Sequence, residues 1–251
     1  MTSVDAGRRY IARIGAGAAD LAAAQALRGL AFGLSQADGD GFDEGAVHVL
    51  IEDRREGILA ACFRLGLFVS GIDAAESSYS AQFYDLARLT AFPEPMTELG
   101  RFCVRPGARD PDILRVAWGA ITAHVDAGGI TFLFGCTSFA GTDPKPYSQS
   151  FAALAAQHLA PRRFAPARRA AQVVPLARSP SEQPGDGIEA RMMMPPLLRS
   201  YLGMGGWVSD HAVIDPAMNT IHVFTGLEIA RIPEARKRRL RSTLDGAAPA
   251  R

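Results

Sequence analysis

Two hydrophobic periods share this chain. Residues 8–14 alternate apolar and polar positions, which predicts a first strand. Ala18–Phe32 repeats its apolar positions at helical spacing with Asp20 near the start, which predicts a helix. An acidic, glycine-rich loop follows over residues 33–46. Val47–Glu52 and Ile58–Leu67 read as strands joined by the turn Asp53–Gly57. Met96–Val104 is the next strand. Pro111–Asp126 reads as a helix with Asp110 as its cap and a proline at its first position. Ile130–Thr137 is a strand and Pro146–His158 a helix. A Pro/Gly/Ser-rich stretch at 178–190 predicts a linker. Beyond it come a short helix, Pro195–Leu202, and two strands, Trp207–Ile214 and Thr220–Ile229. This order predicts an α/β (α+β) sheet layered by helices. The expected organisation is a core over 1–177, the linker, and a C-terminal helix and strands over 191–251 that pack on the core and end in a basic tail.

Composition adds little to the fold but narrows the setting. The chain has 251 residues, 48% hydrophobic and 21% charged, as a soluble globular protein should. No apolar run is long enough to cross a bilayer, and the first residues lack an apolar signal core, so a cytoplasmic protein is expected. Net charge is +1, yet residues 1–160 hold 13 Lys/Arg against 18 Asp/Glu, and residues 161–251 hold 14 against 8. The basic C-terminal third includes Arg162, Arg163, Arg168, Arg169, the run Arg236–Arg239 and Arg241. Such a face suits an acidic protein or an anionic membrane surface, or is a solvated helix face. No nucleic-acid partner is expected. Cys62, Cys103 and Cys136 are few, far apart and set in apolar runs, so buried packing is the expected role. The histidines show no metal-ligand spacing, and no metal is expected.

The candidate chemistry begins with the strand Met96–Val104, because it carries Glu98 and Arg101 among apolar residues. An unpaired charge in a buried strand is costly, so both must meet partners, a substrate or each other. Upstream lies a second polar and aromatic cluster, Ser78–Leu86. Glu98-Leu-Gly-Arg101-Phe102 resembles the Glu-x-x-Arg-Phe strand of two families: the acyl-homoserine-lactone synthases, and the ornithine N-acyltransferases that begin ornithine-lipid synthesis. Both are acyl-carrier-protein-dependent branches of the Gcn5-related N-acetyltransferase fold. Tyr79-Ser-Ala-Gln-Phe-Tyr-Asp-Leu86 and the run from Met194 to Gly206, with its Pro195-Pro-Leu-Leu-x-x-Tyr201, resemble the ornithine branch. The resemblance covers roughly residues 8–230.

The resemblance implies a Gcn5-related N-acyltransferase-like mixed sheet flanked by helices, with a C-terminal extension. It implies transfer of a 3-hydroxyacyl chain from acyl carrier protein to the α-amine of L-ornithine. It also implies that phosphopantetheine enters with the donor and no cofactor is held, and that the inner-membrane surface is a further partner. Glu98 is the expected base, acting through water. Arg28, Asp40, Asp43, Arg64, Arg101, Tyr79 and Tyr84 are the expected substrate-binding set, since a dicationic amino acid needs carboxylates for its amines and an arginine for its carboxylate. The pantetheine arm is expected between strands Met96–Val104 and Ile130–Thr137. The loop Arg105–Asp112 lacks the glycine pair of a pyrophosphate-binding turn and carries two aspartates, so Arg105 and Arg109 are expected to meet a carrier-borne arm rather than a free nucleotide cofactor. The segment after Phe32 is shorter than in the ornithine family, and Asp215–His222 matches only in part. Two alternatives stand beside this reading. An acyl-homoserine-lactone synthase would share Arg28, Asp40, Asp43, Glu98 and Arg101. A non-catalytic protein of the same fold would bind acyl carrier or membrane only.

Overall fold

The structure, a computed structural model, describes residues 8–177 and 187–242. Most of the expected linker, 178–186, and the last residues of the basic tail, 243–251, lie outside the described residues. The strands are β1 (Tyr10–Ile14), β2 (Val47–Asp53), β3 (Ile58–Phe68), β4 (Met96–Val104), β5 (Phe132–Ala140), β6 (Val173–Pro175), β7 (Trp207–Asp215) and β8 (Thr220–Glu228). The helices are α1 (Gly17–Phe32), α2 (Gly71–Ser77), α3 (Pro111–Ala127), α4 (Ser148–Gln157), α5 (Gly187–Met193), α6 (Pro196–Gly203) and α7 (Glu234–Ser242). Single 3-10 turns at Ser80–Gln82 and Ala87–Ala91 follow α2, and a two-residue ladder joins Tyr84–Asp85 to Ala167–Arg168.

The chain forms two compact units, and both are discontinuous in sequence. The first contains the chain up to Leu67, Leu99–Ile130 and the segment from Pro233 onward. Its strands run in the order β1-β2-β3-β4. β1 lies antiparallel to β2, from Tyr10↔Asp53 to Ile14↔Val49, and β2 lies antiparallel to β3. Helix α1 buries Ala24, Leu27, Arg28 and Gly29, and ends at Gly33, whose φ of 69° is the left-handed stop that glycine adopts freely. Asp110 caps α3 by accepting from the Asp112 N–H, with Pro111 in the first turn, as the sequence predicts.

The second unit contains Phe68–Glu98 and Thr131–Ile232. Its strands run β4-β5-β8-β7-β6. Residues 96–98 of β4 pair in parallel with β5, and β5 pairs antiparallel with β8 over its full length, from Phe132↔Glu228 to Ala140↔Thr220. Its core is aromatic: Phe68, Tyr84, Phe132, Phe134, Phe164, Trp207 and Phe224 pack together, with Phe164 stacked on Trp207. Helix α2 fits because residue 71 is glycine: a Cβ there would lie 1.8 Å from the Leu89 carbonyl oxygen.

These divisions do not follow the expected cut at 178–190. The C-terminal strands join the sheet of the second unit: β8 is hydrogen-bonded along β5 and β7 along β8. The expected strand 130–137 begins later, at Phe132, because the Ile130 N–H still bonds the Val125 carbonyl at the end of α3.

Candidate active site

In the second unit the parallel ladder ends at Glu98↔Phe134, although β5 continues to Ala140. Glu98 therefore stands at the last paired position, and its residue is 6% exposed. The 3-10 turn after α2 points three donors at its carboxylate. The Tyr79 N–H lies 2.9 Å from Oε2, the Ser80 N–H lies 2.7 Å from Oε1, and the Ser80 hydroxyl also donates to Oε1. Backbone N–H groups at a turn are fixed dipoles, so this cradle is preorganised by the fold. Ser80 Oγ also lies 3.4 Å from Cys136 Sγ on β5.

Around this point the expected aromatics part company. Tyr79 is half-buried and meets the Phe83 ring at 5.2 Å. Tyr84 is fully buried: its hydroxyl donates to the His222 carbonyl at 2.8 Å and lies 3.1 Å from His222 Nδ1. Burial pushes its phenol well above the usual range. Tyr201, from the Pro-Pro-Leu-Leu run, is buried on α6. Burial raises its phenol, and so does the charge of Glu98, which puts Tyr201 within that carboxylate's field.

The first unit gathers the other charges. The loop 38–43 presents three aspartates to three arginines, one each from α1, β3 and β4. Arg28 grips Asp43 with both ends of its fork, at 2.7 and 2.6 Å, and Gln25 adds a bond to the same carboxylate at 3.0 Å. Arg64 donates to Asp43 at 2.7 Å and to both oxygens of Asp40. Arg101 donates to Asp38 at 2.7 Å and to Asp40 at 2.8 Å. Arg101 holds a φ of 53°, a strained value for a residue with a Cβ, and these two bonds hold it there. Burial alone would raise the Asp43 carboxyl, but the bonds from Arg28, Gln25 and Arg64 hold it far below the usual carboxylate range. Asp40 is lowered too, against its burial, by Arg64 and Arg101. The two differ in access: the Asp43 side chain is 5% exposed and that of Asp40 22%.

Arg105 is half-buried and donates through Nε to the Leu59 carbonyl at 2.7 Å, while Arg109 is exposed. Cys62 and Cys103 face each other across β3 and β4 with their sulfurs 3.5 Å apart, a pairing of thiols that their spacing did not suggest, and Cys136 is half-buried rather than buried. The structure thus brings Arg28, Asp40, Asp43, Arg64 and Arg101 into one cluster. It places Glu98 with Tyr79, and adds Asp38, Gln25, Ser80, Cys136 and His222. Gln25 stands one helical turn before Arg28 and could have been found by that spacing; Ser80 sits inside the segment already singled out.

Residues 27–119 match the Acetyltransferase (GNAT) domain family. An L-ornithine N(alpha)-acyltransferase of Brucella abortus (strain 2308) is 30% identical over 207 residues, which is 79% of this chain and 73% of the relative. One of Rhodobacter capsulatus is 34% identical over 151 residues, 60% of this chain but only 57% of the relative's length. Among solved structures, FeeM, an N-acyl amino acid synthase from uncultured soil microbes, superposes over 91% of this chain and 97% of its own with a TM-score of 0.52 at 10% identity, a likeness of fold. The mixed sheet with flanking helices, and a family match that spans both β4 and the segment before it, agree: this chain is an acyltransferase that belongs to the L-ornithine N(alpha)-acyltransferase family.

Proposed function

We propose that this chain moves a 3-hydroxyacyl group from the phosphopantetheine arm of acyl carrier protein to the α-amine of L-ornithine, the first step of ornithine lipid synthesis. The observation that carries the reading is Glu98, a carboxylate held by fixed dipoles at the end of a parallel strand pair. A neutral amine attacks the thioester carbonyl, and the new C–N bond leaves a proton on nitrogen that Glu98 takes through water. The C–S bond then breaks and the pantetheine arm departs through its sulfur. Asp40, the most exposed carboxylate of the charged cluster, meets the acceptor's side-chain ammonium, while Asp43 and Arg28 hold the loop in shape. Arg105 and Arg109 meet the donor's phosphate arm or its carrier, and no cofactor is held by the enzyme itself. No described helix is long and apolar enough to cross a membrane, and we place the enzyme in the cytoplasm, with contact to the inner-membrane surface where its amphiphilic product belongs.

The test is incubation with 3-hydroxyacyl carrier protein and a panel of amino acids, with products read by mass. Acylated ornithine as the main product is the expected result. Acylation of another amine alone, or none, would overturn the reading. In the same assay free acetyl-CoA should be a poor donor; equal rates with both donors would remove the roles given to Arg105 and Arg109.

A further inference from the structure

Ser80 Oγ touches two groups at once: Glu98 Oε1 and, at 3.4 Å, Cys136 Sγ. A hydroxyl has one proton, and an ionised carboxylate can only accept. The Ser80 proton therefore points to Glu98, the lone pairs of Oγ face the sulfur, and the Cys136 thiol is the donor of that contact. The three groups share one face of the sheet. Glu98 is in register with Phe134, and Cys136 lies two residues farther along β5, where a strand returns to the same side. Ser80 and Glu98 are buried, whereas Cys136 is half-buried, so the cysteine is the member of this group of three nearest to solvent. It lies on β5 beyond the last parallel pair, on the strand where the thioester is expected.

We propose that Cys136 is the general acid of the acyl transfer, protonating the departing pantetheine sulfur, and that the Ser80 hydroxyl turns from Glu98 to Cys136 as it does so. The inference rests on the reading of Glu98 as the base. Before reaction Glu98 is the anion and Cys136 a thiol. As the C–N bond forms, Glu98 takes the amine proton through water on Oε2 and becomes neutral. As the C–S bond breaks, Cys136 gives its proton to the leaving sulfur and becomes the anion. Ser80 Oγ–H then swings to the new thiolate, following the negative charge. Water returns a proton to Cys136 and removes one from Glu98, which restores the start. Cys136 and pantetheine are both alkyl thiols, so the transfer between them is nearly balanced in energy, the condition under which a general acid works best.

The experiment varies the leaving group. Two donors with the same 3-hydroxyacyl chain are compared: the N-acetylcysteamine thioester, whose thiol resembles pantetheine, and the thiophenyl thioester, whose more acidic thiol departs without a proton. Cys136→Ala should lower kcat on the first about 10²-fold and on the second less than about threefold. Cys136→Ser keeps a donor to Ser80 but is a far weaker acid, and should show the same split if the alanine variant folds poorly. Ser80→Ala should lose more on the alkyl than on the aryl thioester. Equal losses on both donors, or no loss on the alkyl thioester, would overturn the proposal. If the wild type acylates no amine from 3-hydroxyacyl carrier protein, the proposed function itself fails and this inference falls with it.

Discussion

The two units treat buried charge in opposite ways. In the first, three arginines and three aspartates pair with one another, and the deepest carboxylate, Asp43, accepts from Arg28, Arg64 and Gln25 together. In the second, Glu98 accepts from two backbone N–H groups and a hydroxyl of the turn at residues 79–80. A carboxylate locked between guanidinium forks is stabilised as an anion, and its value lies in shape: it ties the loop 38–43 to α1, β3 and β4. A carboxylate seated on backbone and hydroxyl donors is fixed in place by dipoles the fold supplies, which suits a group that must take up and release a proton. Charge alone is therefore a poor guide to chemistry, and the kind of partner is a better one.

The comparison breaks most visibly at Glu98. Glu98→Gln should lower kcat by about 10²-fold or more, since an amide cannot accept the proton. The amide NH₂ must also face the Tyr79 N–H if its oxygen serves Ser80, so a stability loss of about 1–3 kcal/mol should accompany it. Near-wild-type turnover would make Glu98 a structural partner only. Asp43→Asn should do the reverse. Removing one charge of a buried pair costs about 3–5 kcal/mol, so urea melts should shift strongly while the KM for ornithine in the remaining folded enzyme stays close to wild type. The pH dependence of this loss has a fixed sign. Asp43 and Asp40 are lowered in the folded protein, so their stabilisation is complete above the unfolded carboxylate value of about 3.9 and fades as pH falls below it. The stability gap between wild type and Asp43→Asn should close over that range; a gap that widened in acid would contradict the pairing. Asp40→Asn, at the exposed edge of the same cluster, should raise the KM for ornithine about tenfold, roughly 1.4 kcal/mol, with a smaller shift in melting. An unchanged KM would leave the acceptor's ammonium to some other carboxylate.

How far the sequence could foresee this differs by region. The β4 strand keeps its expected bounds, and the Asp110–Pro111 start of α3 is as predicted, because both depend on local pattern. Helix α2 is not predicted: seven residues starting at a glycine carry too few apolar positions to show a period, and the close approach to the Leu89 carbonyl that requires glycine at 71 is a tertiary contact. Within the charged loop, Asp40 and Asp43 look alike in sequence, and only the fold decides that Asp43 is the deeper and Asp40 the accessible one. Ser80 passes as an ordinary turn residue until the turn is placed against Glu98. Cys62 and Cys103 are brought together by non-local strand pairing, which no spacing rule encodes.

The smallest effect belongs to the basic run near the C-terminus, where the sequence alone left a choice between a partner-binding face and a solvated tail. Residues 234–242 form a helix, and Arg241 pairs with Asp126 at 2.9 Å while Lys237 pairs with Glu234 at 2.8 Å. Exposed pairs of this kind contribute about 0–1 kcal/mol, so they settle the helix without consuming its positive field. Arg238 and Arg239 are exposed. Changing both to Gln keeps helix propensity nearly constant and removes two charges. Charges near a surface of opposite sign contribute about 1 kcal/mol each and are screened over roughly 8 Å at physiological salt. Binding to the acidic carrier protein should weaken several-fold at low salt and converge on wild type as salt rises, while kcat at saturating donor stays unchanged because the helix belongs to neither Glu98 nor its cradle. Loss of binding to anionic vesicles with carrier binding intact would assign the helix to the membrane surface. No change toward either partner would make its charge a matter of solubility.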